Sequence, residues 1–240
     1  GRLRGFAILP PEDTPPGPCY TAGAFSRGTT MAYDIHRGTN ISHWLSQSQA
    51  RGEERRAWFT REDVERIASW GFDHIRLPID EEQMWSENGT RQAEAFDLLT
   101  SAVGWCESAG LRMVVDLHIL RSHYFNDAEV PGLYTDPAEL ERFADLWVDL
   151  SDVLGSTSCG LVAYELLNEA VAPTAEAWNR TWQVPFDAIR AREPERTIVL
   201  GSNHFNDHRS YPDLAIPDDD HLILTFHYYK PMFITHYTAR

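Results

Sequence analysis

Short apolar runs alternate along the chain with longer stretches in which apolar residues return every three or four positions. Helical spacing predicts four helices, between Thr60 and Gly71, over 94–109, from Asp136 to Gly155 and over 174–192. The short runs predict six strands, at 31–40, 72–79, 111–120, 160–169, 196–203 and 221–229. Because strands and helices alternate in units of about 40 residues, the pattern predicts parallel strands covered by helices.

The predicted helices carry residues that are typical of helix ends. Thr60 with Asp63 three residues later predicts a capped helix start. Asp136 followed by Pro137 predicts a second start, because proline fits the first helical position. Gly110 follows the 94–109 helix and predicts its end.

Polar residues stand at the end of every predicted strand, after residues that are mostly apolar. In a (β/α)8 barrel the catalytic residues sit at the carboxyl ends of several strands, whereas a nucleotide-binding doubly wound sheet needs a glycine-rich loop that this chain lacks. A spacing of two places paired residues on one strand face. The strand-end residues are Arg37, Asn40, Arg76, Asp116, His118, Asn168, Glu169, Asn203, His227 and Tyr229.

Composition narrows the classes of partner. The 240-residue chain has a net charge of −15, which disfavours nucleic acid and anionic membranes as partners but permits a neutral polymer. Aromatic residues make up 12% of the chain and include eight Trp, which indicates a large aromatic core or stacking platforms for ring-shaped ligands. No apolar run reaches the ~20 residues of a membrane span, and no secretory signal core is present.

The sequence predicts a single domain that follows an N-terminal arm. Residues 1–30 contain "PPEDTPPGP" and predict an extended arm or loop, while residues 31–240 form one domain. The three cysteines, Cys19, Cys106 and Cys159, are too scattered for a disulfide scaffold or a zinc cluster, although a single bridge is open.

Five segments carry a resemblance in their order and spacing. "RGTNISHWLSQ", "GFDHIRLPID", "VVDLHIL", "YELLNEA" and "FHYYKPMFITH" resemble the successive strand motifs of glycoside hydrolase family 5, over residues 31–236. The resemblance implies a (β/α)8 TIM-barrel fold and a retaining, secreted β-glycosidase that needs no cofactor or metal. The expected substrate is a β-1,4-glucan cut internally, with mannan, xyloglucan or β-1,3-glucan as alternatives.

The resemblance also implies roles for the residues that match its motifs. Glu169 would be the acid/base that protonates the leaving oxygen, and Asn168 would hold the sugar 2-hydroxyl. Arg76 would hydrogen-bond the nucleophile, the alternative being a surface ion pair with Asp80 or Glu81.

The remaining residues of the expected site surround these three. His118 and His227 would line the catalytic subsite, and Tyr229 would orient the nucleophile. Glu165 is expected to pair with an arginine rather than to attack a sugar. Asn40 and Arg37 would support the site, while Asn40, Asn203, Trp44 and Phe205 are expected to bind substrate, with core packing as the alternative for Trp44 and Phe205.

The chain departs from the family pattern in one respect. The family's nucleophile is a glutamate after strand seven, and strands seven and eight have no counterpart here, so we expect an incomplete barrel that a missing C-terminal segment or partner chain would close. Alone it should be poorly stable. The alternatives are a glycan-binding protein without turnover and, less favoured, a metal-dependent hydrolase that uses Asp116, His118, His204, His208 or His227.

Overall fold

A single parallel sheet organises the protein. The computed structural model describes residues 33–235, so the predicted arm at 1–30 and Cys19 lie outside the described residues. All six predicted strands are present, shorter than the apolar runs, and each pairs with the next along the chain. They are β1 (Gly38–Asn40), β2 (His74–Asp80), β3 (Arg112–Ile119), β4 (Val162–Glu165), β5 (Ile198–Gly201) and β6 (Leu222–Thr225).

Helices connect the strands on one face of the sheet. The four predicted helices are confirmed as α2 (Arg61–Ser69), α4 (Ala93–Ala109), α5 (Pro137–Leu154) and α6 (Ala175–Arg192). The shorter α1 (Gly52–Trp58), α3 (Glu81–Met84), α7 (Asn203–Asn206) and α8 (Met232–Thr235) were not predicted. Two 3-10 turns, at Gly132–Tyr134 and His208–Asp213, complete the described elements.

The helix ends follow the cap signals in the sequence. The backbone N–H of Thr60 donates to Asp63 Oδ2 at 3.1 Å in a reciprocal capping box. Asp136 Oδ1 accepts from the backbone N–H of Ala138 at 2.9 Å, one residue past Pro137. Gly110 ends α4 with a φ of 73°, the left-handed conformation that glycine adopts without steric cost.

The sheet separates two apolar layers. Alternate residues of the strands, such as Val115 and Tyr164, face the helices and join the main core with four fully buried tryptophans, Trp44, Trp85, Trp147 and Trp178. The opposite face carries a smaller apolar layer formed by Val114, Ala163, Val199 and Ile223. With Trp182, five of the eight tryptophans are buried in this core, which agrees with the expectation of a large aromatic core.

Charged side chains lie on this inner face, one step further along the strands. Asp116 pairs in register with Glu165, two positions beyond the apolar pair Val114 and Ala163. Since the side-chain period of a strand is two, Asp116 and Glu165 lie directly beyond the small apolar layer, toward the carboxyl end of the sheet. The interior therefore changes from apolar to ionic along the strand direction.

The strand order identifies the architecture. Six parallel strands in the order β1 to β6, each joined to the next through a helical segment, form part of a (β/α)8 barrel; a doubly wound sheet would reverse its order at a switch point. Among residues 33–235, no helix combines the length and apolar character that crossing a membrane requires.

The predicted strand at 160–169 is too long, and this correction matters for the site. The apolar run 160–169 forms a strand only as far as Glu165, so Asn168 and Glu169 lie in the loop that follows. That loop stays attached to its neighbours, because the N–H of Leu166 donates to Val199 O at 3.2 Å and the N–H of Asn168 donates to Leu117 O at 3.2 Å. The two polar side chains are thus held beyond the strand end.

Candidate active site

A largely buried arginine lies at the centre of the carboxyl end of the sheet. Arg76 on β2 donates from Nε and Nη2 to the two oxygens of Glu165, at 2.7 and 2.9 Å. Nη1 donates to Asn40 Oδ1 at 2.9 Å. Nη2 also contacts Asn168 Oδ1 at 3.0 Å and Asp116 Oδ2 at 2.9 Å. One guanidinium therefore ties together side chains from β1, β3, β4 and the loop after β4.

The electrostatics keep this arginine charged. Burial by itself would lower the pKa of Arg76, but the carboxylates of Asp116 and Glu165 outweigh burial and raise it above its ordinary value. The predicted pairing of Glu165 with an arginine is confirmed. The alternative surface pair does not form, since Asp80 accepts from the N–H of Gln47 and Glu81 binds Arg121.

A histidine and an aspartate on β3 form the next pair. His118 Nδ1 lies 2.6 Å from Asp116 Oδ2, so the spacing of two does bring the side chains together. Asp116 is fully buried, whereas the His118 side chain is 12% exposed. The ring of Phe125 meets the His118 ring edge to face at 5.7 Å between centroids.

The carboxylate of Glu169 has two polar neighbours from the segment after β6. His227 Nδ1 lies 2.6 Å from Glu169 Oε1, and the hydroxyl of Tyr229 donates to the same oxygen at 3.3 Å. The backbone of Glu169 is left-handed, with a φ of 46°. Such strain costs roughly 1–3 kcal/mol for a residue other than glycine and is typical of functional sites.

Tyr229 has a contact that the sequence did not predict. Its hydroxyl donates to Glu169, the expected acid, and its expected role in orienting a nucleophile stays a prediction. The pKa of Tyr229 is raised, first by burial and then by the adjacent carboxylate of Glu169, so the phenol keeps its proton and acts as a donor.

A tight turn after β5 presents an aromatic ring. Three successive residues have left-handed φ angles, 56° at His204, 62° at Phe205 and 55° at Asn206. The N–H of Phe205 donates to Ala170 O at 3.0 Å, one residue past Glu169. Since the Phe205 side chain is 48% exposed, it is available to a ligand and is not a core residue.

Two residues expected to bind substrate have structural contacts instead. Asn203 is 3% exposed, and its amide donates to and accepts from the backbone of Ala172 at 3.0 and 2.9 Å. Trp44 is fully buried and donates from Nε1 to Arg55 O at 2.8 Å. Their side chains are therefore used inside the fold, and the core alternative for Trp44 is confirmed.

The first strand contributes less than expected. Asn40 is exposed and supports Arg76 through its amide oxygen. Arg37 precedes β1, at the amino end of the sheet, where its backbone N–H donates to Asp73 at 3.1 Å. The expectation that Arg37 supports the site is wrong. Arg37 comes before the first residue of β1, Gly38, and therefore lies at the opposite end of the sheet from the site.

Two aromatic residues beside His118 were not among the expected site residues. Phe125 contacts His118, and Tyr124 packs against Phe125 with ring centroids 5.0 Å apart. The signal was present, because "HYFN" follows β3 closely and loops after barrel strands line the site.

The ligands required by the metal-dependent alternative do not assemble in the part of the chain that the structure describes. No three His, Cys, Asp or Glu side chains within residues 33–235 converge in a way that could hold a metal ion. His118 and His227 are instead each bonded to a carboxylate, Asp116 and Glu169 respectively.

Comparison with known proteins gives a consistent picture. A sequence model of the family described as "Cellulase (glycosyl hydrolase family 5)" matches residues 36–239. Endoglucanase C of Acetivibrio thermocellus is 34% identical over 205 residues, which cover 84% of this chain and 60% of that protein. Cellodextrinase A of Ruminococcus flavefaciens is 34% identical over 210 residues, which cover 85% of this chain and 61% of that protein.

Solved structures share the same arrangement of strands. Cel5A of Thermotoga maritima in complex with cellobiose superposes with a TM-score of 0.70 at 26% identity, covering 85% of this chain and 64% of that one. The same protein in complex with mannotriose also gives 0.70, at 25% identity and the same coverage. The chain thus spans about 60% of the length of the curated relatives named above.

Proposed function

The chain belongs to glycoside hydrolase family 5, and from that premise we propose that Glu169 is the acid/base of a retaining hydrolase that cleaves a β-1,4-glucan internally. The observation that carries the proposal is the setting of Glu169, held at a strained backbone position against His227 and Tyr229. Two relatives named for endoglucanase and cellodextrinase activity support the choice of glucan.

The two oxygens of Glu169 have different surroundings. His227 and Tyr229 both converge on Oε1. Among the described residues Oε2 has no hydrogen-bond partner, and the side chain keeps 11% of its surface exposed. Oε2 is therefore the oxygen that would carry the proton to the glycosidic oxygen, while Oε1 is held in place.

Arg76 also determines how Asn168 would meet a sugar. Because Arg76 donates to Asn168 Oδ1, the amide of Asn168 is oriented with Nδ2 away from the guanidinium. An NH2 group in that position can donate to the 2-hydroxyl of a sugar, a contact that strengthens in the transition state. Phe205, strained and exposed close to Glu169, would serve as a stacking platform beyond the cleaved bond.

Retaining hydrolysis needs a second carboxylate about 5–5.5 Å from the acid. In the family pattern this is a glutamate after strand seven, and the described residues carry six strands. Glu165 and Asp116 are the buried carboxylates nearest the centre of the site, but both are bound to Arg76 and are 1% and 0% exposed. Neither is placed to attack a sugar, so the proposal assigns the nucleophile to neither.

The test is release of reducing ends from a soluble β-1,4-glucan, with a β-mannan as the comparison substrate. In protein that also carries the second carboxylate, wild type should release reducing ends, whereas Glu169→Gln should lose at least about 100-fold in rate, since general acid catalysis contributes 10²–10⁴. Glu107→Gln, an exposed change on α4, should keep wild-type activity. Equal rates for Glu169→Gln and wild type would overturn the role of Glu169.

A second candidate is glycan binding without hydrolysis. It is favoured by Arg76, whose three nitrogens are already bonded to Glu165, Asn40, Asn168 and Asp116 and not to a nucleophile. Titration with cellotetraose separates the two candidates. A folded protein that carries the second carboxylate and binds cellotetraose without releasing reducing ends would support binding and overturn hydrolysis. We expect either activity to be extracellular, as the resemblance to secreted glycosidases implies.

A further inference from the structure

Asp116 has a combination of contacts that the roles assigned so far do not explain. One oxygen, Oδ2, is shared by His118 Nδ1 at 2.6 Å and Arg76 Nη2 at 2.9 Å. The other oxygen, Oδ1, is buried and has no hydrogen-bond partner among the described residues. A buried carboxylate with an unused oxygen costs free energy, so a reason for its presence is required.

Neutralising Arg76 is not a sufficient reason. Glu165 already binds the guanidinium through both of its oxygens, at 2.7 and 2.9 Å, and supplies one negative charge for one positive charge. Asp116 is a second buried carboxylate against the same cation. Its remaining contact is His118, which points to a role for Asp116 in fixing that ring.

The chemistry of the pair determines where the proton lies. An ionised carboxylate can only accept, so the close approach to Asp116 requires the hydrogen on His118 Nδ1. In a neutral imidazole the other nitrogen, Nε2, then carries a lone pair. Nε2 has no hydrogen-bond partner among the described residues, and the ring remains 12% exposed.

We propose that Asp116 is a positioning residue that holds His118 in the Nδ1–H tautomer, so that Nε2 accepts a hydrogen bond from a sugar hydroxyl. The sugar-binding part of this statement rests on the proposed function. The Phe125 ring meets the His118 ring edge to face, with 5.7 Å between centroids, and this contact further restricts rotation of the imidazole. The geometry therefore sets both the orientation of the ring and the polarity of the atom that it presents.

The tautomer can be observed directly in the 240-residue protein. Histidine labelled with ¹⁵N gives separate signals for protonated and unprotonated ring nitrogens, and a His118→Gln spectrum identifies the signals of His118. At a pH well above the ordinary imidazole value of about 6.5, the proposal expects a protonated Nδ1 and a bare Nε2. A proton on Nε2, with Nδ1 bare or protonated, would overturn it.

Two variants separate positioning from simple packing. In Asp116→Asn the two converging donors select the carbonyl oxygen for the position of Oδ2, so the Nδ1–H tautomer should persist. Asp116→Leu has a similar size but no acceptor, and His118 should then populate the Nε2–H form as well. An unchanged tautomer in a folded Asp116→Leu would overturn the proposal; if that variant does not fold, the wild-type spectrum decides.

Cellotetraose serves as the probe of the sugar contact. Its addition should shift the Nε2 signal of wild type and of Asp116→Asn, and it should bind Asp116→Asn within about tenfold of wild type. Binding to a folded Asp116→Leu should be weaker by about tenfold or more, because the acceptor is no longer presented. The expected tautomer without any response to cellotetraose would uphold the positioning role and contradict the proposed function.

Discussion

Two arginines with little exposed surface lie at opposite ends of the sheet, and their hydrogen-bonding groups are satisfied in different ways. Arg196, just before β5, is fully buried and donates to the backbone carbonyls of Leu154, Thr157, Ser158 and Val162 as well as to Glu193. Arg76, at the carboxyl end, donates to side chains from four other segments and to no backbone carbonyl within the described residues.

The nature of the acceptor separates structure from function. Backbone carbonyls are fixed once the chain has folded, so Arg196 fastens the α5–β4 connection, and its guanidinium also lies 5.1 Å from the Tyr164 ring centroid. Side-chain acceptors such as Asn40 and Asn168 can turn toward a ligand. An arginine that binds side chains from several strand ends therefore indicates a functional site. An arginine that binds backbone carbonyls indicates a role in stabilising the fold.

Removal of Arg196 should have the largest effect on stability. Arg196→Met leaves Glu193 buried without its cation and several carbonyls unpaired, so the free energy of unfolding should fall by about 3–5 kcal/mol. Urea denaturation measures this loss. Arg66→Met, which removes a 59%-exposed arginine, should change the free energy of unfolding by less than about 1 kcal/mol. Equal losses of unfolding free energy in the two variants would contradict the stabilising role of Arg196.

His123 extends the comparison to a buried side chain that is bonded neither to backbone carbonyls nor to other side chains among the described residues. It is fully buried, and among the described residues its ring nitrogens have no hydrogen-bond partner. Burial lowers the pKa of His123 to about 4. Between about pH 6.5, the ordinary pKa of histidine, and about pH 4, this histidine is protonated in the unfolded chain but not in the folded protein. The free energy of unfolding therefore falls as the pH falls through this range.

Between pH 7 and pH 4.5 His123 alone should lower the free energy of unfolding by about 2–3 kcal/mol. Over this interval the free energy of unfolding of His123→Leu should fall by about 2–3 kcal/mol less than that of wild type. Urea denaturation at both pH values measures the difference. The exposed His36→Gln serves as control and should keep the wild-type pH dependence. Parallel pH profiles for wild type and His123→Leu would exclude the assignment.

Substituting lysine for each arginine sharpens the contrast in ligand binding. Lysine keeps the charge but loses the two-pronged geometry. Arg76→Lys should weaken cellotetraose binding about tenfold or more, because Asn168 loses the donor that orients it. Arg196→Lys should bind like wild type at a temperature where both variants are folded. Calorimetric titration measures both, and equal affinities would remove the distinction.

The same contrast should hold, with a smaller effect, for two asparagines. Asn203→Ala removes two bonds to the Ala172 backbone and should cost about 1–2 kcal/mol of stability, whereas Asn168→Ala should act chiefly on cellotetraose binding. Urea denaturation and titration of both variants test this. A larger loss of binding in Asn203→Ala than in Asn168→Ala would reverse our assignment.

The sequence alone predicted the strands, the main helices and several close pairs. The spacing of Asp116 and His118 predicted a shared strand face, and the two side chains are 2.6 Å apart. Cap residues such as Asp136 act locally, so they could be interpreted without tertiary information. These successes depend on interactions between residues that are close in the chain.

Other features depended on partners that the sequence does not reveal. Asn203 and Asn168 are both asparagines after strands, but one binds a backbone segment 31 residues away and the other binds Arg76. The run through Leu166 and Leu167 looks like strand because both residues are buried, although β4 ends at Glu165. Burial alone cannot distinguish a strand from a tightly packed loop.

The left-handed backbone at Glu169 has a consequence for protein engineering. Glycine adopts a φ near 46° with little strain, so replacing Glu169 with glycine relaxes the turn and also deletes the carboxylate. Selection for heat resistance alone would therefore favour such replacements and discard the side chain on which the proposed chemistry depends. Variant libraries of this protein should accordingly be screened on a glycan as well as by melting temperature.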